Sequence, residues 1–139
     1  METKEKNKTS TEKTEAKVKG NNVGVSMKQS MAICDFIKGR TIEDASKELE
    51  KVTRMERAIP MKGEVPHRKG DMTGGRYPIK AAKIFIKLLK SLEANANNQG
   101  LDAKNIKLFA KADKAPRSHK PGKYSGRKFK RAHILITAK

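Results

Sequence analysis

The sequence has one cysteine (Cys34), no tryptophan and only six aromatic residues, four Phe and two Tyr. A lone cysteine cannot close an internal disulfide, and no cysteine pair offers zinc spacing. The longest dense apolar stretch, 84–92, is broken by Lys87 and Lys90. It falls well short of the ~18 residues a membrane helix needs, so no membrane partner is expected. No apolar signal segment opens the chain, and a reducing, cytoplasmic setting is expected. Acids are scarce too: 15 Asp and Glu face 33 Lys and Arg among 139 residues, for a net charge of +18. Hydrophobic residues are 35% of the chain, below the ~45–50% usual for globular domains when Gly is counted. The core must therefore be small and aliphatic. So large a charge of one sign repels itself, and a polyanion would relieve the repulsion. Nucleic acid is the first partner class to consider.

The charge is uneven. Residues 104–139 hold twelve Lys or Arg against one acid, Asp113, whereas 20–60 hold seven against six. A solvated surface normally mixes both signs, so the C-terminal quarter reads as an electrostatic footprint for a polyanion.

Residues 1–22 are almost wholly Lys, Glu, Thr, Ser and Asn, a composition that buries too little surface to offset its ordering entropy. They are expected to be a disordered polar tail, leaving 23–139 as a single domain. A first helix is predicted at about 27–38. Ser26 and Gln29 would form a capping box, Met27, Met31, Cys34 and Ile37 the apolar stripe, and Gly39 the stop. A second helix is predicted at about 42–57, capped by Thr41, with Ile42, Ala45, Leu49 and Val52 facing inward and Pro60 ending it. Residues 60–77 hold six Gly or Pro and no periodicity, so they form a long loop, which is functional or disordered. The third helix, about 78–98, begins with Pro78 at its first position and lines Ala82, Phe85, Ile86, Leu89, Leu92 and Ala96 on one face. The period then falls from 3.6 to 2. Ile106, Leu108, Ala110 and Ala112 alternate with Lys107, Phe109 and Lys111, and Ala132, Ile134 and Ile136 alternate with His133, Leu135 and Thr137. These are two strands of a hairpin spanning about 105–138. Its tip holds Pro116, Pro121, Gly122 and Gly126.

No catalytic set is visible. Of the three histidines, His67 and His119 sit in basic loops and His133 in a strand, with no Ser-His-Asp or metal-ligand pattern around them, and no metal or cofactor is expected. Cys34 has no neighbouring base and reads as a small buried hydrophobe. "MTGGRYP" (72–78) superficially resembles a phosphate cradle but lacks the glycine spacing and the strand-to-helix context. It does precede a helix N-terminus, where Arg76 could anchor a backbone phosphate. The tip combines Arg117, Ser118, His119, Lys120, Lys123, Tyr124, Arg127, Lys128, Lys130 and Arg131. Arginine planes and Tyr or His rings stack on unpaired bases, and lysines neutralise phosphates. Lys28, Lys62, His67, Arg68, Lys69, Arg76, Lys80, Lys111 and Lys114 complete the candidate RNA contacts.

Several ordered stretches, "SMKQS" (26–30), "VPHRKGDMTGGRYPIKAAKIF" (65–85), "LLKSLEANANNQGLD" (88–102), "ADKAP" (112–116) and "HILIT" (133–137), resemble the large-subunit ribosomal protein twenty-two family, called seventeen in eukaryotes. The "HRKG…GRYP" loop resembles the archaeal branch. The resemblance covers about 23–139. It implies an α+β fold: three helices packed on a small antiparallel three-stranded sheet, with a long protruding β-hairpin. It also implies a structural, non-enzymatic role in the large subunit, with large-subunit rRNA and neighbouring ribosomal proteins as partners and no homo-oligomer. In the family the hairpin tip lines the nascent-peptide exit tunnel, so the nascent polypeptide is a further implied partner. Lys114, Ala115 and Pro116 fall where the family's hairpin begins, and Gly126 and Arg127 match its returning side. Only five residues, 128–132, follow that pair before the last strand, which implies a shorter hairpin. The competing reading is a non-ribosomal architectural nucleic-acid-binding protein. It would need a dimer interface and a duplex-sized basic face.

Overall fold

The computed structural model describes residues 15–102 and 105–139. Strand β1 (Ala16–Val23) is followed by α1 (Met27–Ile37), α2 (Ile42–Thr53), the short strands β2 (Ile59–Pro60) and β3 (Gly75–Arg76), α3 (Ile79–Asn98), β4 (Leu108–Lys114) and β5 (Ala132–Ala138). The main sheet is antiparallel in the order β1-β5-β4. Helices α1 and α3 cover one of its faces, and α2 packs on α3. The fold is therefore α+β, with three helices on a small three-stranded sheet.

The third strand comes from residues that composition assigns to the polar tail. Residues 16–22 belong to β1, where Ala16, Val18 and Gly20 pair with Ala138, Ile136 and Ile134. Their alternation with Lys17 and Lys19 is a period of 2, but the inward side chains are too small to raise the local hydrophobicity. They are small because α3 packs close: a Cβ on Gly20 would lie 3.2 Å from Leu88 Cδ1. Residues 1–14, the rest of the expected tail, lie outside the described residues.

Helix α1 is rotated from the expected stripe. Ser30, Ile33, Cys34 and Ile37 are buried, whereas Met31 is 47% exposed. The branched pair Ile33 and Ile37 takes the inward positions against β4, which swings the methionines toward the loop after β2. The capping box does not form; the Ser26 side chain makes no capping bond, and Ser30 Oγ donates to the Ser26 carbonyl at 3.0 Å.

In α2 the Thr41 hydroxyl accepts from the Asp44 amide at 3.3 Å, and Ile42, Ala45, Leu49 and Val52 are buried. The helix stops at Thr53 rather than 57, because Met55 adopts a left-handed φ of 61°. The reversal brings Arg57 back to Glu48, at 2.8 Å, and over the Phe36 ring at 5.6 Å. Pro78 serves as the N-cap of α3 and Ile79 is its first residue; Ala81, Ala82, Phe85, Leu89, Leu92 and Ala96 face the core.

Leu89→Ala removes a fully buried side chain and should cost about 2–5 kcal/mol. Met31→Ala, at a half-exposed position, should cost much less. Urea denaturation of the two variants checks the helix orientations; equal midpoints would contradict them.

Candidate nucleic-acid interface

The segment between β4 and β5 has no core of its own. Residues 121–130 are all exposed. It is closed by local bonds: Lys120 N to Arg127 O at 2.8 Å, Phe129 N to Ser118 O at 2.9 Å, and a 3-10 turn at Gly122–Tyr124. An isolated bridge joins His119 to Lys128. His119 Nδ1 lies 3.0 Å from the Ser125 carbonyl, and because a carbonyl only accepts, Nδ1 carries the proton in this contact. Arg127 sits 5.8 Å from the Tyr124 ring centroid and Lys120 5.6 Å from that of Phe129. The tip thus presents cations paired with exposed rings, the combination that stacks on unpaired bases and neutralises phosphates. Arg117, Ser118, Lys123, Lys128 and Lys130 are exposed along it. Arg131 lies at its root, where its guanidinium donates to Asn22 O at 3.3 Å. A Cβ on Gly24 would meet Arg131 Nη1 and Lys80 Nζ, so these two cations converge on the β1–α1 junction.

Residues 60–77 are ordered by β2 and β3. The glycines of "MTGGRYP" serve packing: a Cβ on Gly74 would lie 2.6 Å from Val65 Cγ2, and one on Gly75 2.8 Å from the Ile59 carbonyl. Arg68 donates to the Gly75 carbonyl at 3.2 Å and stacks on Tyr77 at 4.8 Å, so it braces the loop. Arg76 is exposed and reaches Glu64 O at 3.4 Å. His67 and Lys69 are exposed on the same loop, while Lys28 of α1 and Lys62 of the loop line the groove between those two elements.

The outer face of the sheet carries the expected Lys111 and adds Lys17, Lys19 and Phe109, which the sequence reading passed over. Lys17, Lys19, Phe109 and Lys111 point away from the helices, and Phe109 is 44% exposed. Lys19 and Lys111 flank Leu135 on β5, and Lys17 and Phe109 flank Thr137. Lys114 is exposed at the end of β4, whereas Lys111 also pairs with Asp113 at 3.8 Å. Lys17 and Lys19 were hidden inside the supposed tail; the alternation over 16–20 was the signal that could have exposed them.

Acids here serve the fold. The Lys139 and Lys17 ammonium groups bonded to Glu15 hold its carboxyl below the usual range. Lys51 does the same for Glu48, with Arg57 and Arg40 assisting against the opposing effect of burial. Burial, with Asp35 beside it, pushes the Cys34 thiol up to about 12, so it stays protonated and unreactive near neutral pH. Among the described residues no group of His, Cys, Asp and Glu could hold a metal ion, and no helix is long and apolar enough to cross a membrane.

A family model described as "Ribosomal protein L22p/L17e" matches residues 18–133. The chain belongs to that family. Its curated relatives in the L22p/L17e family include three archaeal proteins named "Large ribosomal subunit protein uL22". That of Archaeoglobus fulgidus is 47% identical over 96 residues, covering 66% of this chain and 62% of the relative. That of Methanoculleus marisnigri is 41% identical over 98 residues, covering 67% and 64%. That of Thermofilum pendens is 37% identical over 120 residues, covering 84% and 78%. The chain thus spans less than two thirds of the length of the first two. The match begins inside β1.

Binding to a large-subunit rRNA fragment should weaken steeply with salt. Six phosphate contacts would give a slope of log K against log[salt] near −5 on duplex, and somewhat less on single strands. Titrations at several salt concentrations check this; a slope near −1 would contradict a phosphate-dominated interface.

Proposed function

We propose that this protein is a structural constituent of the cytoplasmic large ribosomal subunit. It binds and stabilises large-subunit rRNA, with the tip between β4 and β5 inserted among RNA segments, and it performs no catalysis. The observation that carries this reading is the tip itself: ten consecutive exposed residues, 121–130, set in the most cationic part of a +18 chain. Such a protrusion gains nothing from folding on its own and much from RNA around it. Lys and Arg release counterions from phosphates, and the shape of the hairpin fixes its register.

Membership of the family supports the finer part of the reading. There the tip lines the nascent-peptide exit tunnel and meets the growing chain, while the body contacts neighbouring ribosomal proteins and makes no homo-oligomer. The candidate contacts fall into three regions: the tip with Lys114 at its start, the 60–77 loop with Lys80 and the adjoining Lys28 of α1, and the outer sheet face with Lys111. Together they wrap several sides of a small body, which suits a protein embedded in folded RNA better than one gripping a duplex along one face.

The test compares position with bulk charge. Replacing Arg117, Lys120, Lys123 and Arg127 with Ala removes four cations from the tip and leaves the helical core untouched. Replacing Lys4, Lys6, Lys8 and Lys13 with Ala removes the same charge near the N-terminus. The tip variant should enter large subunits at least tenfold less efficiently than the N-terminal variant in sedimentation assays, and each lost contact should lower the salt slope by roughly one. Equal incorporation would leave only non-specific electrostatic binding and would contradict hairpin insertion.

A further inference from the structure

Between α1 and the loop after β2 lies an open groove of about 640 Å³. Its lining differs in kind from the rest of the surface. Met31 and Ala32 of α1 form one wall, and Met61 and Met72 stand in the facing one. The charges in it balance: Lys28 and Lys62 against Asp35 and Asp71. On a chain of net charge +18, this is a neutral and mainly apolar site.

The order of the groups on α1 narrows the occupant. Lys28 and Asp35 are seven residues apart, two helical turns or about 10.5 Å along the axis, and Met31 lies between them on the same side. The Lys28 ammonium reaches toward Gly63, where a Cβ would stand 3.2 Å away. One end of the α1 wall is thus cationic and the other anionic, with thioether and methyl groups between. RNA brings phosphates, which Asp35 and Asp71 would repel, and it has neither a cation for those two acids nor an aliphatic side chain for the thioethers. A polypeptide can offer an acid for Lys28, a base for Asp35 and aliphatic side chains between. Methionines suit such a contact because their unbranched, polarisable side chains adapt to an incoming surface.

We infer that this groove docks an amphipathic helix from another large-subunit protein, one that places aliphatic residues between an acid and a base two turns apart. This rests on the proposed place of the chain in the large subunit. It assigns Lys28 and Lys62 to a protein contact rather than to rRNA. The pairing of helix on helix would be the groove mode of peptide recognition, with the apolar stripe supplying contact and the two charges setting direction.

The full chain carrying the photoreactive residue p-benzoylphenylalanine in place of Met31 is expressed in cells, and large subunits are purified and irradiated. A second chain carries the same residue in place of Tyr124. The crosslink from position 31 should map to one protein segment with the stated acid–aliphatic–base pattern. Adding Asp35→Lys should lower its yield at least tenfold, while Glu43→Lys on α2 should leave the yield unchanged. A crosslink to RNA or to a second copy of this chain, no protein crosslink, or a yield indifferent to Asp35→Lys would overturn the inference. Position 124 reports separately on the functional reading: an RNA crosslink there, with none to protein at 31, sinks the groove alone. Absence of both chains from large subunits would overturn both.

Discussion

Strand β5 is hydrogen-bonded on both sides, by β1 and by β4, and every other part of the molecule depends on that position. Ala132, Ile134, Ile136 and Ala138 are all buried under the helices, so β5 is both the centre of the sheet and a wall of the core. A two-stranded hairpin by itself is marginal in water. Here its returning strand is clamped into a three-stranded sheet, and its outgoing strand β4 is pressed against α1. That anchoring lets the chain carry an exposed, strongly cationic tip at one end without losing the fold at the other. The strand that completes the clamp, β1, contributes almost no hydrophobic bulk. It contributes backbone pairing and a close seat for α3 at Gly20.

The distribution of charge follows from the same division. Groups near the core are paired: Glu15 with Lys139 and Lys17, Glu48 with Lys51 and Arg57. Arg68 and Arg131 split their donors between backbone carbonyls and the surroundings. At the tip Lys120 and Arg127 instead lean on exposed rings, contacts worth only about 0.5–1 kcal/mol each at exposed sites. A ligand that offers phosphates and base faces can replace those contacts at small cost. The body therefore keeps its charges and the tip offers its own. The Met-lined groove on the far side of α1, neutral amid a basic surface, extends this division to a second class of partner.

Much of this was legible in the sequence. Helix α2 was plain because its apolar residues recur on one face and Thr41 caps it; α3 was plain from a long stripe between Pro78 and Gly100. The hairpin strands showed themselves by a clean period of 2, and the C-terminal quarter that carries the tip by twelve bases against one acid. The misses have physical causes. Helix α1 carries two overlapping apolar stripes, and only packing on β4 decides that Ile33 and Ile37 face inward rather than Met31. The end of α2 depends on a left-handed Met55, a residue type with no preference for that conformation. Strand β1 was lost because its inward residues are Ala, Val and Gly, matched to a close helix rather than to a deep core. Its lysines on the outer sheet face were lost with it. The Met-lined groove could not be read at all, since it joins residues 27–35 to residues 60–74 through a small sheet that a Gly- and Pro-rich segment gave no sign of forming.

The proposed role requires a rigid body that holds out a tip tied only by local turns and held firmly once RNA surrounds it. Amide hydrogen exchange on the free chain, and again with large-subunit rRNA, tests it directly. The account predicts slow exchange in β5 at Ile134 and Ile136 in both states, fast exchange across 117–126 in the free chain, and protection of that segment by at least a hundredfold once RNA is bound. Slow exchange across 117–126 without RNA, or none gained with it, would contradict the account.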